Sequence, residues 1–235
     1  MLASAVVLTP RWVRPLDTDA NGMLVLDDGL QAIVSTRAAG LVGVAKPFTE
    51  DGIDVLSVIA APGIPAPDVW RGVEEVVERL ESGRLWNHDF PGDGVTQGHA
   101  WTVGDAQESF VASDAPPDGT EMWSSHLPRW AARSQLDLRE APGVDDVVAS
   151  IAARLPEPLV SACVQAARAD YDENGFSAAA VTAMGLAAGW PQLVERNIRR
   201  VDITFDRPHA LVAIARGGLW EGVPLFHAWV TPVID

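Results

Sequence analysis

Cysteine occurs once in this 235-residue chain, at Cys163, and lysine once, at Lys46. A lone cysteine excludes an internal disulfide framework and any multi-cysteine zinc site. Set in the apolar run LVSACVQAA, it reads as a small buried residue rather than a nucleophile. Basic residues are scarce altogether: 17 Lys and Arg stand against 32 Asp and Glu, a formal charge of −15. Nucleic-acid binding needs an electropositive footprint to displace counterions, so this balance argues against it, and against anionic membrane surfaces for the same reason. No apolar run approaches the roughly 18 residues that read as a membrane span. The start MLASAVVL has no basic segment before it and is closed by Pro10, so a buried strand or helix fits it better than a secretory leader. The chain as it stands favours a cytoplasmic location, with secretion open if a segment precedes Met1.

Internal repeats, low-complexity tracts, a GxSxG elbow, a phosphate-cradling glycine loop and a dinucleotide fingerprint are all missing. The five histidines, His88, His99, His126, His209 and His227, show neither i,i+4 spacing nor close pairing, so they read as structural or surface residues. Asp170, Asp172 and Asn174 followed by Gly175 imitate the first half of a calcium loop, but its twelfth position, which must supply a bidentate carboxylate, is Val181. No metal, no cofactor and no ordinary enzyme are expected.

What is present is 48% hydrophobic residues, enough to bury a core in one large domain or two small ones. MLASAVVL and Ile53–Ala60 read as buried strands. Asp68 is placed to cap a helix carrying Val69, Val73, Val76 and Leu80, stopped by Gly83. Residues 87–125 are rich in Gly, Asp, Ser and Pro and read as long loops around short edge strands. Val144, Val147, Val148, Ile151 and Leu155 outline a second helix, ended by Pro156. Leu159–Ala169 reads as a long strand, and Val201, Ile203 and Phe205 alternate as on a half-buried one. ALVAIA and LFHAWV form a closing hairpin, with Gly217 and Gly218 near its turn. The order of elements is that of an α+β fold.

The unusual passage surrounds Glu173. A strand-like segment ends in an acidic pair and Gly175, and then Ser177, Ala178, Ala179, Ala180, Val181, Thr182 and Ala183 follow. Such a row of small side chains suits a helix, or equally a segment that must slide between two strands. This passage, from Asp172 to Thr182, resembles the proximal hinge of the serpin family. Phe205-Asp206-Arg207-Pro208 with ALVAIA is similar to that family's C-terminal signature, and Leu225-Phe226 through Pro232 to its closing strand. LASAVVLTPRWVRPL resembles the third strand of the main sheet, with Trp12 at its top. LPRWAARSQLDL resembles the strand and helix start that precede the hinge strand. The matches keep the family's order from end to end.

The resemblance implies a single serpin-like domain over 1–235, with mixed sheets and few helices and without the family's N-terminal helical part; either the gene starts upstream or this is a truncated relative. It implies a reactive-centre loop over 175–200 that a serine protease attacks and is acylated by. The cut loop then inserts as a new strand in the main sheet, releasing the strain of a metastable state. The hinge would comprise Glu173, Gly175, Phe176, Ser177, Ala178, Ala179, Ala180, Val181 and Thr182. Three departures bear on this. Phe176 stands where inhibitory members carry a small residue, and its ring, facing the core with Ala178, Ala180 and Thr182 after insertion, risks overpacking by roughly 1–3 kcal/mol. Gln165 replaces a histidine that helps hold the sheet closed, with Ser4 opposite, so these two side chains are expected to approach. His209 and Ala228 replace a phenylalanine and a glycine.

Counting from Glu173 places the scissile bond near Gly189, and counting back from Pro208 places it near Asn197. Arg196, Arg199 and Arg200 would suit a trypsin-like protease, Gly189 an elastase- or subtilisin-like one. A solvated basic patch at a strand start accounts for the arginines equally well. The rival to an inhibitor is a non-inhibitory or degenerate serpin-like binding protein whose loop does not insert.

Overall fold

The computed structural model describes residues 9–91, 100–137, 143, 146, 149–150, 153, 164–176 and 192–232. The expected strand over 1–8, most of the expected helix over 144–155, Cys163 and His99 lie outside them.

Two five-stranded sheets carry the core. The first is antiparallel throughout and built from β3 (Gly29–Thr36), β4 (Gly40–Pro47), β5 (Ile53–Ala60), β11 (His209–Ala215) and β12 (Pro224–Val230), in the order β12-β11-β5-β4-β3. Its central strands are apolar at almost every position because both faces are covered. On β5, Val55 and Ile59 face one core cluster while Leu56, Val58 and Ala60 face the other. The two-residue period of a strand sends neighbouring side chains to opposite faces. The helix α1 (Ala66–Glu81) lies over the second face, burying Val69, Gly72, Val73 and Val76. It begins at Ala66 rather than after Asp68: Pro65 occupies the cap with φ −62°, and Asp68 sits inside the first turn. Proline's fixed φ already suits a helix start. Gly83 follows the end of α1 at φ 65°, a conformation glycine adopts without a side-chain clash.

The second sheet runs β1 (Asp17–Thr18), β2 (Leu24–Leu26), β7 (Glu121–Leu127), β10 (Leu193–Thr204) and β6 (Trp101–Val111) in spatial order, with β7 and β10 parallel. Among the loops expected over 87–125, the short edge strands are instead one long edge strand, β6, and the start of β7. The eleven-residue β6 pairs with β10 from Leu193↔Val111 to Ile203↔Trp101. Its local sequence is polar and glycine-containing, and a partner strand 82 to 102 positions later makes it a strand, as β-propensity depends on neighbours more than on the segment itself. The closing hairpin β11–β12 forms as expected, with Gly217 at φ 76° capping a 3-10 turn over Gly218–Trp220 whose first residue, Gly218, has φ 71°.

The remaining pair is β8 (Trp130–Asp137) with β9 (Val164–Tyr171), antiparallel from Trp130↔Tyr171 to Asp137↔Val164. Where β9 ends, the chain reaches the segment around Glu173. The architecture is α+β, mixed sheets with few helices.

Candidate functional site: the hinge at the end of β9

β9 ends in a tight turn. The Asp172 N–H donates to Gly175 O at 3.1 Å, and Asp172 Oδ1 accepts from the N–H groups of Asn174 and Gly175 at 2.8 and 3.2 Å. That self-satisfying turn explains the calcium-like spacing: the Asp172 oxygen serves its own backbone. Among the described residues no group of three His, Cys, Asp or Glu side chains could hold a metal ion.

The turn is laid against the chain from Pro10 to Leu16. Backbone N–H groups of Trp12, Leu16 and Phe176 donate to Asn174 O, Glu173 O and Pro10 O at 3.1, 2.7 and 2.9 Å. The Trp12 indole N–H adds a bond to Asp172 O at 2.9 Å. The approach is so close that a Cβ on Gly175 would stand 2.4 Å from Pro10 O and 3.1 Å from the Arg11 Cα. Gly175 is therefore glycine because a backbone occupies its side-chain space. Glu173 pairs with Arg129 at 2.9 Å, and Arg129 donates to Thr18 Oγ1 at 2.7 Å, tying the turn to the start of the second sheet.

An aromatic cluster lies beneath. Trp12 tilts on Tyr171 at 5.3 Å between centroids, and Trp130 stacks on Tyr171 at 6.0 Å. Phe176 is only 4% exposed, with its ring edge-on to Trp130 at 6.0 Å and tilted against Phe226 of β12 at 5.2 Å. Burial pushes the Tyr171 hydroxyl pKa up, so the ring is a neutral member of the core.

Of the expected site residues, the structure brings Trp12, Glu173, Gly175 and Phe176 together. Ser4, Ser177, Ala178, Ala179, Ala180, Val181, Thr182 and Gly189 lie outside the described residues. The expected approach of Ser4 and Gln165 lies outside them too; the Gln165 backbone sits on β9 opposite Leu136. Arg196, Asn197, Arg199 and Arg200 are strand residues of β10, so the loop expected over 175–200 gives way to a strand at Leu193. The Asn197 N–H donates to Asp118 Oδ1 at 2.9 Å, its carbonyl accepts from Gly119, and the Arg199 N–H donates to Thr120 O at 2.9 Å. The arginine side chains are engaged as well: Arg196 with Pro116 O at 3.0 Å, Arg199 with Glu121 at 3.4 Å, and Arg200 with Glu108 and Asp202 at 2.9 and 3.0 Å.

At the foot of β10, His126 Nδ1 lies 2.9 Å from Asp19 Oδ2, and its Nε2 faces Asp202 Oδ1 across 3.9 Å. The Asp202 carboxylate first, with Asp19 beside it, outweighs burial and holds the imidazolium pKa above the usual range. His209 is 1% exposed and sits edge-on to Phe205 at 5.1 Å. Burial pushes its pKa down to about 4, so it packs as a neutral ring with Nδ1 2.9 Å from Arg207 O.

Sequence reasoning missed Pro10, Arg129 and the contacts of Trp130 and Phe226 with Phe176. Only proximity in the fold joins Phe226 to a residue 50 positions earlier.

No family model matches the chain, and no curated protein matches it. Solved structures do. Mouse protein-Z dependent protease inhibitor superposes with a TM-score of 0.52 at 12% identity, covering 95% of this chain and 53% of its own. Cleaved Serpin 42Da gives 0.51 at 14%, covering 96% and 54%. Human glycosylated kallistatin gives 0.50 at 15%, covering 88% and 50%. The fold is that of the serpins, in its C-terminal part. The chain spans about half the length of the structures it matches.

Proposed function

We propose that this chain is a serpin-type inhibitor of serine proteases acting as a suicide substrate. The observation that carries the reading is the turn after β9: an acidic turn and a sterically required Gly175, zipped to Pro10–Leu16, and followed in sequence by a row of small residues before β10 begins at Leu193. On this reading a protease cuts the segment and is acylated by it. The freed N-terminal portion then enters the sheet beside β9, and the energy of adding a strand drives the protease away before its ester hydrolyses. Ala178–Thr182 suit that step because a strand sliding between neighbours tolerates little bulk.

Pairing of β10 with β6 from Leu193 onward, joined by β7 from Arg199, favours a scissile bond before Leu193, since a protease needs an unpaired, extended substrate. Residues 177–192 contain no lysine or arginine. That composition favours an elastase- or subtilisin-like target over a trypsin-like one, with Gly189 among the candidates. The rival reading, a non-inhibitory binding protein, draws support from Phe176, a bulky side chain directly after the hinge glycine where a small one would suit insertion.

The test is to mix the protein with trypsin-, elastase- and subtilisin-like proteases and run denaturing electrophoresis. The expected result is a covalent complex with an elastase- or subtilisin-like enzyme and none with a trypsin-like one. Cleavage without complex, in every case, would refute inhibition.

A further inference from the structure

A sheet edge with unpaired backbone groups is a template for another strand, and proteins shorten, cover or interrupt their edges for that reason. Three of the four edges of the five-stranded sheets follow the rule. β1 is two residues long. Along β3, the Gln31 and Ile33 N–H groups donate to Asn87 Oδ1 and Asp89 O at 2.9 and 2.8 Å, while Gln31 O and Ser35 O accept from the His88 N–H and the Arg79 guanidinium at 2.7 and 2.6 Å. β12 opens with Pro224, where its register with β11 shifts.

The fourth edge, β6, has none of these devices. It runs for eleven residues without proline or lysine, in unbroken register with β10. Its backbone polarity follows from the two bonds that bracket this ladder: the Thr204 N–H donates to Ala100 O and the Ala112 N–H to Gln192 O, both at 2.8 Å. Hydrogen-bonded pairs alternate along an antiparallel ladder, so even-numbered residues of β6 turn their backbone groups to β10. Trp101, Val103, Asp105, Gln107, Ser109 and Val111 turn theirs outward. Among the described residues, only Val111 O in this outward row has a partner, the Asp114 N–H at 2.9 Å.

Charge favours a like partner at this edge. In a chain of net charge −15, the β6–β10 ribbon is nearly neutral: Asp105, Glu108, Glu195 and Asp202 stand against Arg196, Arg199 and Arg200. The repulsion that keeps acidic copies apart is least here.

We infer that β6 is an interface for a second copy of this chain, paired edge to edge and antiparallel across a two-fold axis at Ala106. That axis pairs all of Trp101–Val111 and sets outward residues opposite one another: Trp101 with Val111, Val103 with Ser109, Asp105 with Gln107. No two carboxylates are opposed, whereas an axis at Asp105 would set that residue against itself. Glu108 falls opposite Gly104, where a Cβ would meet nothing within 4 Å and whose neighbour in the ladder is Arg200. The inference does not depend on the protease reading.

The test is sedimentation equilibrium of the intact chain over a concentration series. The mass should rise from one chain toward two. Gln107→Pro removes an outward N–H and leaves the donors of the β10 ladder in place, a position where an edge strand tolerates proline; it should weaken association at least tenfold. Gln107→Lys sets opposite charges across the axis twice and should tighten association at least twofold, and Gln107→Glu should weaken it at least twofold. These two serve if the proline variant fails to fold. Glu50→Gln, the same change of net charge as Gln107→Lys but away from β6, should leave association unchanged. A chain that stays single at every concentration overturns the interface. So does a dimer indifferent to Gln107→Pro, or one that Glu50→Gln tightens as much as Gln107→Lys does.

Discussion

Gly175 shows what one missing methyl group permits. A Cβ there would stand inside the contact distance of Pro10 O, so Gly175→Ala must push two backbones apart. It is expected to cost about 1–3 kcal/mol, read as a lower midpoint in urea unfolding at unchanged slope. Two histidines make opposite pH predictions. His126 has a raised pKa, so its stabilisation is complete below the unfolded value near 6.5 and is lost as pH rises through the higher folded value. Burial pushes the Asp202 pKa up, but His126 and Arg200 outweigh it and hold it low, so the carboxylate stays charged throughout that window. His126→Gln should remove the loss of stability above neutral pH. His209 has its pKa lowered to about 4, so below pH 6.5 the unfolded chain binds a proton that the fold refuses, and stability falls toward pH 4. His209→Phe should abolish that acid lability, worth roughly 3 kcal/mol across the window, as measured by unfolding midpoints at pH 7 and pH 4.5.

Among the elements, β6 and β9 differ in how far sequence reveals them. The strand Ile53–Ala60, the helix over Val69–Leu80 and the hairpin of ALVAIA with LFHAWV were legible because local periodicity decided them. The turn at Asp172–Gly175 was legible in part, because an acidic pair and a glycine stand together at the end of a strand. β6 was not: WTVGDAQESFV carries little apolar alternation and is a strand through its ladder with β10. The cage around Phe176 was equally hidden, since Phe226 and Trp130 meet it only in the folded chain. The β6 ladder fixes the outer edge of β10 and so anchors the far end of the segment that leaves at Phe176. Ala106→Pro, opposite Ile198, should break that ladder, because proline removes a donor and fits poorly in a strand interior. Amide exchange over 194–202 is expected to accelerate at least tenfold while β7 amides change little; equal protection before and after would show that β6 contributes no anchor.

At the scale of the whole molecule, the turn at Asp172–Gly175 is zipped to Pro10–Leu16 and Phe176 is buried. The proposed inhibitor mechanism requires that a cut chain can add a strand beside β9. The added strand supplies backbone pairing and apolar burial, so the cut form should be the more stable. The sheet of β3, β4, β5, β11 and β12 has central strands buried on both faces. Thermal unfolding of the chain before and after a single cut within residues 177–192 addresses this most directly. The account predicts a midpoint higher by roughly 10 °C or more, several kcal/mol for a chain of this size. An unchanged or lower midpoint after the cut would contradict it.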